Sequence, residues 1–599
     1  MSMIVNRRDV NFLLYEVFDL GELLRAPRYD AYDREAIDAM LDSAERIAED
    51  KYLPCAAELD ANEPEFDDGE VRSPAVVHGA LDAYAAAGLL AVGFDEEAGG
   101  LQLPHSVCIA MGGLFSCANT GLWGYSFLTI GAANLLNSFG DEEQKERFLP
   151  PMLEGRWFGT MCLTETQAGS SLADISTTAE ETDKGFYRIT GSKMWITAGD
   201  QDISENIVHM VLAKIPGGTA GVKGISLFIV PKYRVDADGS VGERNHVALA
   251  GLNHKMGHRG VTNTLLNFGE TGECRGYLVG EPHQGLKYMF QMMNESRLGV
   301  GHGAVMSALA GFLFSLDYAR NRLQGRHPQD KDPNSRQLPI IEHADVKRML
   351  MAQKAYVEGA LALMHYCASL IDQQKVSDDS QETARLGELL DILTPIAKSW
   401  PSEYCLEANK LAIQVLGGYG YSREYPVERF YRDNRLNHIH EGTHGIQGLD
   451  ILGRKVRMHG GHAFELLVAS IIETVNEAAT TPALAKYAST LSDAVEEIED
   501  STRQVLAAED LNLCLANATL YLDAIGHVVI AWMWLKQALA ATKGLLDASP
   551  SDGAFYSGKL QACRYFFNYE LPKISAQLKP VAALDDTCVS AKPELFIGE

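Results

Sequence analysis

A change of residue pattern near Phe158 is the feature that most constrains the fold of this chain. From there to about Leu278, short runs rich in Val, Ile, Thr and aromatic residues are separated by Gly, Asp, Asn and Pro. Such runs predict strands at Phe186–Ile189, Met194–Thr197, Ile207–Ala213 and Ile225–Val230. Their close spacing favours an antiparallel sheet or barrel over alternating βαβ units.

Helical patterns flank this strand-rich segment on both sides. Apolar positions recur every three or four residues in Ala36–Ala48 and Ser73–Gly88, and this period returns from about Gly285. Between two later helices, Gln324–Pro339 contains three prolines and five charged residues, which predicts an exposed loop. A chain of 599 residues is too long for one core. We therefore predict a mostly α-helical protein with a central β domain, divided into residues 1–158, 159–278, 279–460 and an additional helical domain at 461–599.

Composition argues against several classes of function. The formal net charge is −28 and no run of basic residues occurs, so nucleic-acid binding is not expected. Ten cysteines without a CxxC pair are typical of a reduced intracellular protein. Arg7, Arg8 and Asp9 interrupt the N-terminus before an apolar run forms, so we expect no signal peptide. The chain is predicted to be a cytoplasmic enzyme or binding protein.

Two apolar stretches have nearly the length of a membrane span. Leu298–Leu316 lacks acids and bases but contains four glycines and His302, and residues 520–541 include Asp523, His527 and Lys536. Polar residues at these positions favour buried helices of a large helical protein. No transmembrane segment is predicted.

The first candidate site consists of Met161–Ser171 (MCLTETQAGSS) and Lys193–Gly199 (KMWITAG). One interpretation is purely structural: two strands joined by a small-residue turn, with a tryptophan in the core. The other is a site for a flavin, whose polar edge needs hydrogen bonds and whose reactive face needs an aromatic cover. Thr164, Thr197 and Trp195 are the residue types that such a site requires.

Two further signals are weak when taken alone. The paired glycines of Gln414–Tyr421 (QVLGGYGY) indicate a helix end, or a backbone that can approach phosphates closely. An arginine cluster at Arg320, Arg322 and Arg326 is either a solvated helix end or a pyrophosphate site.

The segment Asn437–Gln447 (NHIHEGTHGIQ) contains the H-E-x-x-H pattern of zinc hydrolases. Zinc would need both histidines on one helical turn, and Glu465 is a possible third ligand. Gly442 and Gly445 weaken such a helix, and the longer pattern with a third histidine is absent. A zinc hydrolase stays open as an alternative from a different reaction class.

Taken in this order, the motifs resemble those of the acyl-CoA dehydrogenase family over about 440 residues, up to Arg454. MCLTETQAGSS resembles the flavin-binding strand of that family, and KMWITAG resembles its flavin-covering strand. LGGYGY resembles the glycines on the adenine side, and YPVERFYRDNRLNHIHEGT resembles the catalytic segment. The length and the block after residue 461 look most like a long bacterial subgroup that includes 3-methylmercaptopropionyl-CoA and long-chain acyl-CoA dehydrogenases.

The resemblance implies a fold and a set of roles. The fold is an N-terminal helical domain, a β-barrel-like middle domain and a C-terminal four-helix bundle, here with the extra helical domain. Glu441 falls on the catalytic base, and FAD is the implied cofactor. Implied cofactor contacts are Met161, Leu163, Thr164, Ser170, Trp195, Thr197, Arg322, Gln324, Gly417, Gly418 and Thr443. Implied substrate contacts are Ser170, Arg297, His440 and Gly442. No metal ligand is implied.

The resemblance also implies a reaction and partners. The implied reaction is α,β-dehydrogenation of a fatty acyl-CoA or of 3-methylmercaptopropionyl-CoA to the trans-2-enoyl-CoA, with electrons passed from the flavin to an electron-transfer flavoprotein. Arg322, Gly417 and Gly418 serve the FAD of a neighbouring subunit in the family, so a homodimer is expected. Two alternatives stay open: an FAD-binding homologue without dehydrogenase turnover, and a flavin oxidase or monooxygenase on the same fold.

Elementary chemistry is consistent with a glutamate in this role. A hydrogen α to a thioester is only weakly acidic, so its removal requires a carboxylate whose basicity a dry pocket raises. Glu441 lies among Gly, His and Ile with few charges nearby in the sequence. The sequence departs from the family pattern at Thr166, Ser171, Gly325 and His440. The last of these replaces the tyrosine that commonly precedes the base.

Overall fold

The computed structural model describes residues 2–236 and 238–598. The chain forms two compact units. We call Ala31–Ser296 the β unit, and Met1–Asp30 together with Arg297–Glu599 the helical unit. The four-domain division made from the sequence stays a prediction. The helical unit joins residues from both ends of the chain, which the sequence pattern did not indicate.

Helices precede the sheet along the chain. They are α1 (Arg7–Asn11), α2 (Leu20–Leu23), α3 (Arg34–Ile47), α4 (Ala56–Ala61), α5 (Val76–Ala86), α6 (His105–Phe139) and α7 (Glu142–Leu153). Helix α6 is kinked at Asn119, whose side-chain oxygen accepts a hydrogen bond of 3.1 Å from Leu122 N and so restarts the helix. Between α4 and α5, β1 (Glu65–Asp67) and β2 (Glu70–Arg72) form an antiparallel pair.

In the described residues of the strand-rich segment there are ten strands. They are β3 (Trp157–Cys162), β4 (Thr178–Glu181), β5 (Tyr187–Thr197), β6 (Asn206–Lys214), β7 (Ile225–Pro231), β8 (Tyr233–Val235), β9 (Val241–Arg244), β10 (Val247–Leu252), β11 (Asn263–Phe268) and β12 (Arg275–Leu278). The main sheet has the order β10-β11-β5-β12-β7-β6-β3, and β4 pairs with β5 and β6. The predicted antiparallel sheet is observed, except that β6 pairs in parallel with β3 and β4. A parallel pair needs a crossover connection, which residues 163–205 supply between β3 and β6.

Strand β6 shows how the sheet carries two cores. Its residues from Asn206 to Ala213 are buried on both faces. Val208, Met210 and Leu212 pack with α6 and α7 residues such as Leu136 and Phe148. The alternate residues Val211 and Ala213 pack in a second core with Ile189, Leu266 and Phe268. A near-continuous apolar run is therefore what this central strand requires.

Helices return after the sheet. They are α8 (Gly285–Asn321), α9 (Ala344–Val376), α10 (Ser380–Leu416), α11 (Val427–Asn434), α12 (His444–Gly453), α13 (His462–Ala479), α14 (Ala485–Ala507), α15 (Leu511–Leu515), α16 (Ala518–Gly544), α17 (Pro550–Tyr565), α18 (Ile574–Ala582) and α19 (Thr587–Ser590). We call α13–α19 the C-terminal extension. The predicted exposed loop is observed between α8 and α9, where most of residues 324–339 are exposed.

Helix α16 is the centre of the C-terminal extension. Nearly every residue from Tyr521 to Leu535 is buried. Trp534 Nε1 donates a hydrogen bond of 3.0 Å to Ala355 O on α9, and a side chain at Gly359 would collide with the same ring. On α10, Trp400 packs against Gly526 in the same way. Burial of large aromatic rings at glycine contacts stabilises this packing of α16 on α9 and α10.

A buried ionic cluster joins the two ends of the chain within the helical unit. Lys559 Nζ on α17 forms ion pairs with Asp9 of α1 and with Glu358 of α9, and it donates a hydrogen bond of 3.0 Å to Gln537 Oε1. All four side chains are almost completely buried. Because two carboxylates and an amide oxygen accept from one ammonium, the cation is compensated for its loss of water.

Within residues 2–236 and 238–598, three helices are long and apolar enough, by length and composition, to cross a membrane: α6, α8 and the stretch that begins with α16. Their most apolar windows are 67%, 83% and 83% buried within the protein. The stretches Leu298–Leu316 and 520–541 are thus observed as mostly buried helices. Helix α6 is an apolar helix of this length that was not predicted.

Candidate active site

One group of predicted site residues lies at an edge of the sheet in the β unit. Trp195 occupies a β-bulge where β5 pairs with β11, and its backbone has a φ of +64°. This left-handed conformation is costly for a residue with a bulky side chain. It leaves the Trp195 ring 58% exposed, whereas Ile196 beside it is buried. The fold therefore presents a large aromatic ring on its surface instead of placing it in the core.

Asn263 of β11 fixes the backbone beside that ring. Its Nδ2 donates hydrogen bonds of 3.2 Å to Trp195 O and to Thr197 Oγ1. Met194 N donates a hydrogen bond of 2.9 Å to Thr164 O, so the segment after β3 lies against β5. The structure thus brings Thr164, Trp195 and Thr197 together.

A buried ion pair holds the segment that follows β3. Lys193 Nζ donates hydrogen bonds of 2.9 Å to Glu165 Oε1 and to Leu163 O. Glu165 also accepts hydrogen bonds from the backbone and hydroxyl groups of Ser176 and Thr177. Burial disfavours the charge on Glu165, but Lys193 and these hydrogen bonds outweigh burial, so its pKa is lower than usual. The position of Leu163 and Thr164 is therefore fixed by charge and not by an apolar core alone.

The other predicted residues of this group lie nearby in the chain. Met161 is a half-buried residue of β3, and it follows the fully buried Thr160. Ser170 is exposed, in the turn before a short helical turn at Leu172–Asp174. The backbone bridge between Glu165 and Ala168 closes a separate tight turn, which precedes Ser170.

A second group lies in the helical unit, in the loop formed by residues 439–443, which we call the 439–443 loop. Glu441 has a φ of +54° and Gly442 a φ of +83°. Gln447 of α12, which is fully buried, donates a hydrogen bond of 3.0 Å to Glu441 O. A Cβ atom at Gly442 would lie 2.5 Å from Gln447 Nε2, so the contact requires glycine there. Glu441 is thus held in an unusual backbone conformation by a buried amide.

Three ionisable side chains influence one another around this loop. Glu441 is half-buried, and burial raises its pKa to about 7 although Arg297 and Lys398 act in the opposite direction. Lys398 of α10 is fully buried, and burial lowers its pKa to about 7. Burial likewise lowers the pKa of Arg297, whose Nη1 donates a hydrogen bond of 3.4 Å to Asp450 Oδ2 on α12. Glu441 and Lys398 can therefore both exchange protons near neutral pH.

Three buried asparagines connect this loop to the helices around it. Asn409 Nδ2 on α10 donates to Ser307 O of α8, and its Oδ1 accepts a hydrogen bond of 2.7 Å from Asn434. Asn437 Nδ2 donates to Asn434 Oδ1 at 3.1 Å. The Oδ1 atom of Asn437 lies 3.1 Å from His440 Nε2, and its carbonyl oxygen accepts from Lys398 Nζ at 2.9 Å. Fully paired buried polar groups of this kind fix one arrangement of a loop.

The remaining predicted residues lie at helix ends. Thr443 caps α12, with Oγ1 accepting a hydrogen bond of 3.3 Å from Ile446 N. Arg322 and Gln324 follow α8 and are exposed; Arg322 Nη2 donates to Gln324 Oε1 at 2.7 Å. Gly417, with a φ of +62°, ends α10, and no atom would obstruct a side chain at Gly417 or Gly418. Arg326, in contrast, holds its own loop by donating to Ser335 O and Pro333 O.

The geometry needed for zinc is not present at the H-E-x-x-H pattern. His440, Glu441 and Gly442 precede α12, which begins only at His444, so the two histidines do not share a helical turn. His440 Nε2 lies 3.1 Å from Asn437 Oδ1, and His444 Nε2 lies 3.3 Å from Asp523 Oδ1, so the two histidines contact different partners. Among residues 2–236 and 238–598, no group of three or more metal-binding side chains could hold an ion.

Several residues of these sites did not stand out in the sequence. Lys398 had a usable signal, since it is a lone cation in the apolar run TPIAKSW of α10. Gln447, Glu165 and Lys193 carried no such signal, because only the folded chain places Gln447 against Glu441 O and Lys193 against Glu165 and Leu163 O.

Family models match the chain over most of its length. The matched descriptions are "Acyl-CoA dehydrogenase, N-terminal domain" over residues 34–156 and "Acyl-CoA dehydrogenase, middle domain" over 160–269. "Acyl-CoA dehydrogenase, C-terminal domain" matches 283–456, and "Acetyl-CoA dehydrogenase C-terminal like" matches 467–592.

Individual proteins agree with these matches. The chain is 33% identical to a butyryl-CoA dehydrogenase of Syntrophomonas wolfei, over 98% of both chains. It is 33% identical to 3-methylmercaptopropionyl-CoA dehydrogenase of Ruegeria pomeroyi, again over 98% of both. The solved acyl-CoA dehydrogenase of Bacillus anthracis, complexed with FAD, has a TM-score of 0.74 and 23% identity, covering 98% of this chain and 93% of that one. The predicted fold and family are confirmed: the chain belongs to the acyl-CoA dehydrogenase family, whose members are oxidoreductases acting on acyl-CoA.

Proposed function

We propose that this protein catalyses FAD-dependent α,β-dehydrogenation of an acyl-CoA thioester, with Glu441 as the base that removes the α-proton. The observation that carries the proposal is the electrostatic state of Glu441, whose pKa burial raises to about 7. A carboxylate with this pKa is a stronger base than an ordinary one and is still ionised in a useful fraction at neutral pH. The positive φ and the Gln447 hydrogen bond fix the backbone that carries it.

The residues at the sheet edge fit the cofactor of this family. A flavin needs an aromatic cover over its ring system and hydrogen-bonding groups at its polar edge. Trp195 offers an exposed ring on a fixed bulge, and Thr164 and Thr197 offer hydroxyl groups beside it. We assign Met161, Leu163, Thr164, Ser170, Trp195 and Thr197 to FAD, as the family resemblance implies. Thr443 is assigned to the cofactor near the base.

The chemistry divides between the base and the cofactor. Glu441 removes a proton from the α-carbon, and the charge that develops on the thioester oxygen requires hydrogen-bond donors. FAD, when bound, accepts the hydride that leaves the β-carbon, so that the α–β bond becomes a trans double bond. Arg297 and Lys398 counterbalance the negative charge of Glu441 before the proton arrives. Arg297, His440 and Gly442 are assigned to the substrate cleft.

The second part of the cofactor site implies a homodimer. Arg322, Gln324, Gly417 and Gly418 are assigned to the FAD phosphates and adenosine of a neighbouring subunit, as in the family. Arg322 and Gln324 are exposed and already hydrogen-bonded to each other, and the two glycines leave open space. These features suit a backbone and guanidinium that bind phosphate. We assign an electron-transfer flavoprotein as the electron acceptor and the cytoplasm as the location.

An anaerobic screen tests the proposed reaction. Acyl-CoAs from propionyl to palmitoyl, together with 3-methylmercaptopropionyl-CoA, are mixed with the yellow holoenzyme, and bleaching of the flavin absorbance is followed. We expect bleaching with acyl chains that carry CH₂ groups at both the α- and β-carbons. Absence of bleaching with every substrate would contradict the proposal, and rapid reoxidation of the reduced flavin by oxygen would favour the oxidase alternative.

A further inference from the structure

Two histidines stand at equal distances on either side of Glu441 in the chain. His438 precedes it by three residues, and His444 follows it by three residues and begins α12. Their rings are stacked, with centroids 4.4 Å apart and an interplanar angle of 16°. We call these two residues the histidine pair. The pair joins the two ends of the 439–443 loop through side chains, beside the backbone contact made by Gln447.

Each histidine of the pair lies against a carboxylate of a different helix. His438 Nε2 is 2.7 Å from Glu403 Oε2 on α10. His444 Nε2 is 3.3 Å from Asp523 Oδ1 on α16. The His438 imidazole beside Glu403 holds the pKa of that carboxyl below its ordinary range. Because Glu403 and Asp523 each contact one ring of the histidine pair, both imidazoles are held in one orientation.

Asp523 belongs to the C-terminal extension, and the packing beside it is close. A Cβ atom at Gly448 of α12 would lie 3.0 Å from the backbone of Ala518, at the start of α16. A Cβ atom at Gly453 would similarly approach the Leu515 side chain at 3.3 Å. Helix α12 therefore rests on the C-terminal extension, and its first residue, His444, contacts the extension three positions after Glu441.

We propose that the histidine pair is a positioning device for Glu441, through which the C-terminal extension takes part in orienting the catalytic base. This inference rests on the proposed function, since it assumes that Glu441 removes the α-proton. The stacked rings fix the separation of the loop ends, so the strained backbone at Glu441 and Gly442 has one available conformation. If the contact between the two rings is lost, the Glu441 carboxylate can move from its partly buried position into water.

The test replaces the His444 ring and measures how well Glu441 acts as a base. We expect His444→Leu to bind FAD normally and to lower kcat by about 10- to 100-fold with KM changed less than about threefold, because small displacements of a catalytic group have effects of this size. The acidic limb of its kcat profile should move down by about half a pH unit or more, since a better-solvated Glu441 has a lower pKa. A wild-type kcat and an unmoved profile would overturn the proposal.

Matched variants distinguish an effect on the position of Glu441 from an effect on the stability of the protein. Gly453→Ala adds a methyl group against the Leu515 side chain, at the end of α12 opposite to His444, so it should lower the melting temperature and leave kcat per bound FAD and its pH profile unchanged. Asp523→Asn keeps an oxygen acceptor for His444 and should retain most of the activity, whereas Asp523→Leu should resemble His444→Leu. Equal activity of the Asn and Leu variants would overturn the role of Asp523.

Glu441→Gln distinguishes failure of the inference from failure of the proposed function. Exchange of the substrate α-proton with D₂O is measured in all variants. If Glu441→Gln retains exchange, Glu441 is not the base and the proposed function fails. If Glu441→Gln loses exchange and His444→Leu keeps the full rate, only the inference about the histidine pair fails.

Discussion

Lys398 Nζ donates a hydrogen bond of 2.9 Å to the carbonyl oxygen of Asn437, four positions before Glu441 in the chain. This hydrogen bond holds Lys398 against the segment that contains Glu441, so the charge of the lysine acts on Glu441 from a fixed position. Burial and this neighbour act in opposite directions on Glu441, since burial raises its pKa and the cation lowers it. The balance of the two determines the pH at which the base is active.

Wild-type kcat/KM, which reports ionisation in the free enzyme, should therefore rise with pH through about 7, as Glu441 loses its proton. Lys398→Met removes a cation that favours the carboxylate, so the pKa of Glu441 should rise and the acidic limb should move up by about half to one pH unit. The measurement is kcat/KM between pH 5.5 and 9. Lys410→Met, an exposed residue of the same helix paired with Glu407, is the control and should leave the profile unchanged. A downward shift in Lys398→Met would contradict this interpretation.

Glu441→Gln should bind FAD and acyl-CoA normally and lose turnover. The amide has nearly the shape of the carboxylate but cannot accept the proton, so kcat should fall by about 10²- to 10⁴-fold or more. Flavin absorbance, acyl-CoA binding and steady-state kinetics check the three parts of this prediction. A variant with a tenth of the wild-type rate would show that another group is the base.

Arg322→Ala should lose FAD, because a charge-assisted contact with phosphate disappears. Its exposed position and its partner Gln324 mean that folding should be unaffected. FAD content per chain after gel filtration is the measurement. Arg503→Ala serves as the matched control, since Arg503 is 73% exposed on α14 and pairs only locally with Asp500. Full flavin content with a reduced kcat in Arg322→Ala would contradict the assignment.

Assembly can be tested by light scattering, where we expect the mass of a dimer. The C-terminal extension covers α9 and α10 within the helical unit, as the contacts of Trp534 with Gly359 on α9 and of Gly526 with Trp400 on α10 show. We propose that the extension occupies a surface that a second dimer would otherwise use. A chain ending at Gly460 should expose this apolar surface and aggregate. A mass near four chains, or a truncated protein that is soluble, dimeric and fully active, would contradict the proposal.

Removal of one member of the ionic cluster of Asp9, Glu358 and Lys559 should strongly lower the stability of the protein. Lys559→Met leaves two buried carboxylates without their shared cation, so the free energy of unfolding should fall by about 3–5 kcal/mol. Denaturant unfolding of the holoenzyme measures this change. Lys410→Met, in which an exposed lysine paired with the partly exposed Glu407 is lost, is the control and should change the free energy of unfolding by about 1 kcal/mol or less. Similar losses in both variants would show that the cluster has no special role.

The sequence predicted the elements better than their partners. The runs predicted at Ile207–Ala213 and Ile225–Val230 lie in β6 and β7, because Val, Ile and aromatic residues bounded by turn residues are a local signal. The two runs predicted as separate strands, Phe186–Ile189 and Met194–Thr197, instead belong to one strand, β5, which begins at Tyr187. The parallel pairing of β3 with β6 is not local, and no residue of either strand reveals it. The same is true of Asp9 and Lys559, which are 550 positions apart in the chain.

The candidate sites show a similar limit. Motif resemblance identified Trp195 and Glu441 by position, and it assigned them roles that stay predictions. The motifs could not indicate that both residues have a positive φ. Neither MWIT nor HIHEG contains a local signal for a left-handed conformation at a residue other than glycine. Such conformations depend on contacts that form only when the chain folds, here from Asn263, 68 positions from Trp195, and from Gln447, six positions from Glu441. Backbone strain at both places is a property of the folded chain alone.

The helical unit contains both ends of the chain, and this has a consequence for synthesis. Asp9 leaves the ribosome 550 residues before its partner Lys559, which at about 5–20 residues per second is a delay of roughly 30–110 s. During that time the β unit, which is continuous from Ala31 to Ser296, can be completed and can fold. Residues 1–30 have no finished surface on which to pack until the last helices have emerged. The newly made N-terminal segment, with its apolar Phe12, Leu13 and Leu14, is consequently the part of the nascent protein that most needs a chaperone.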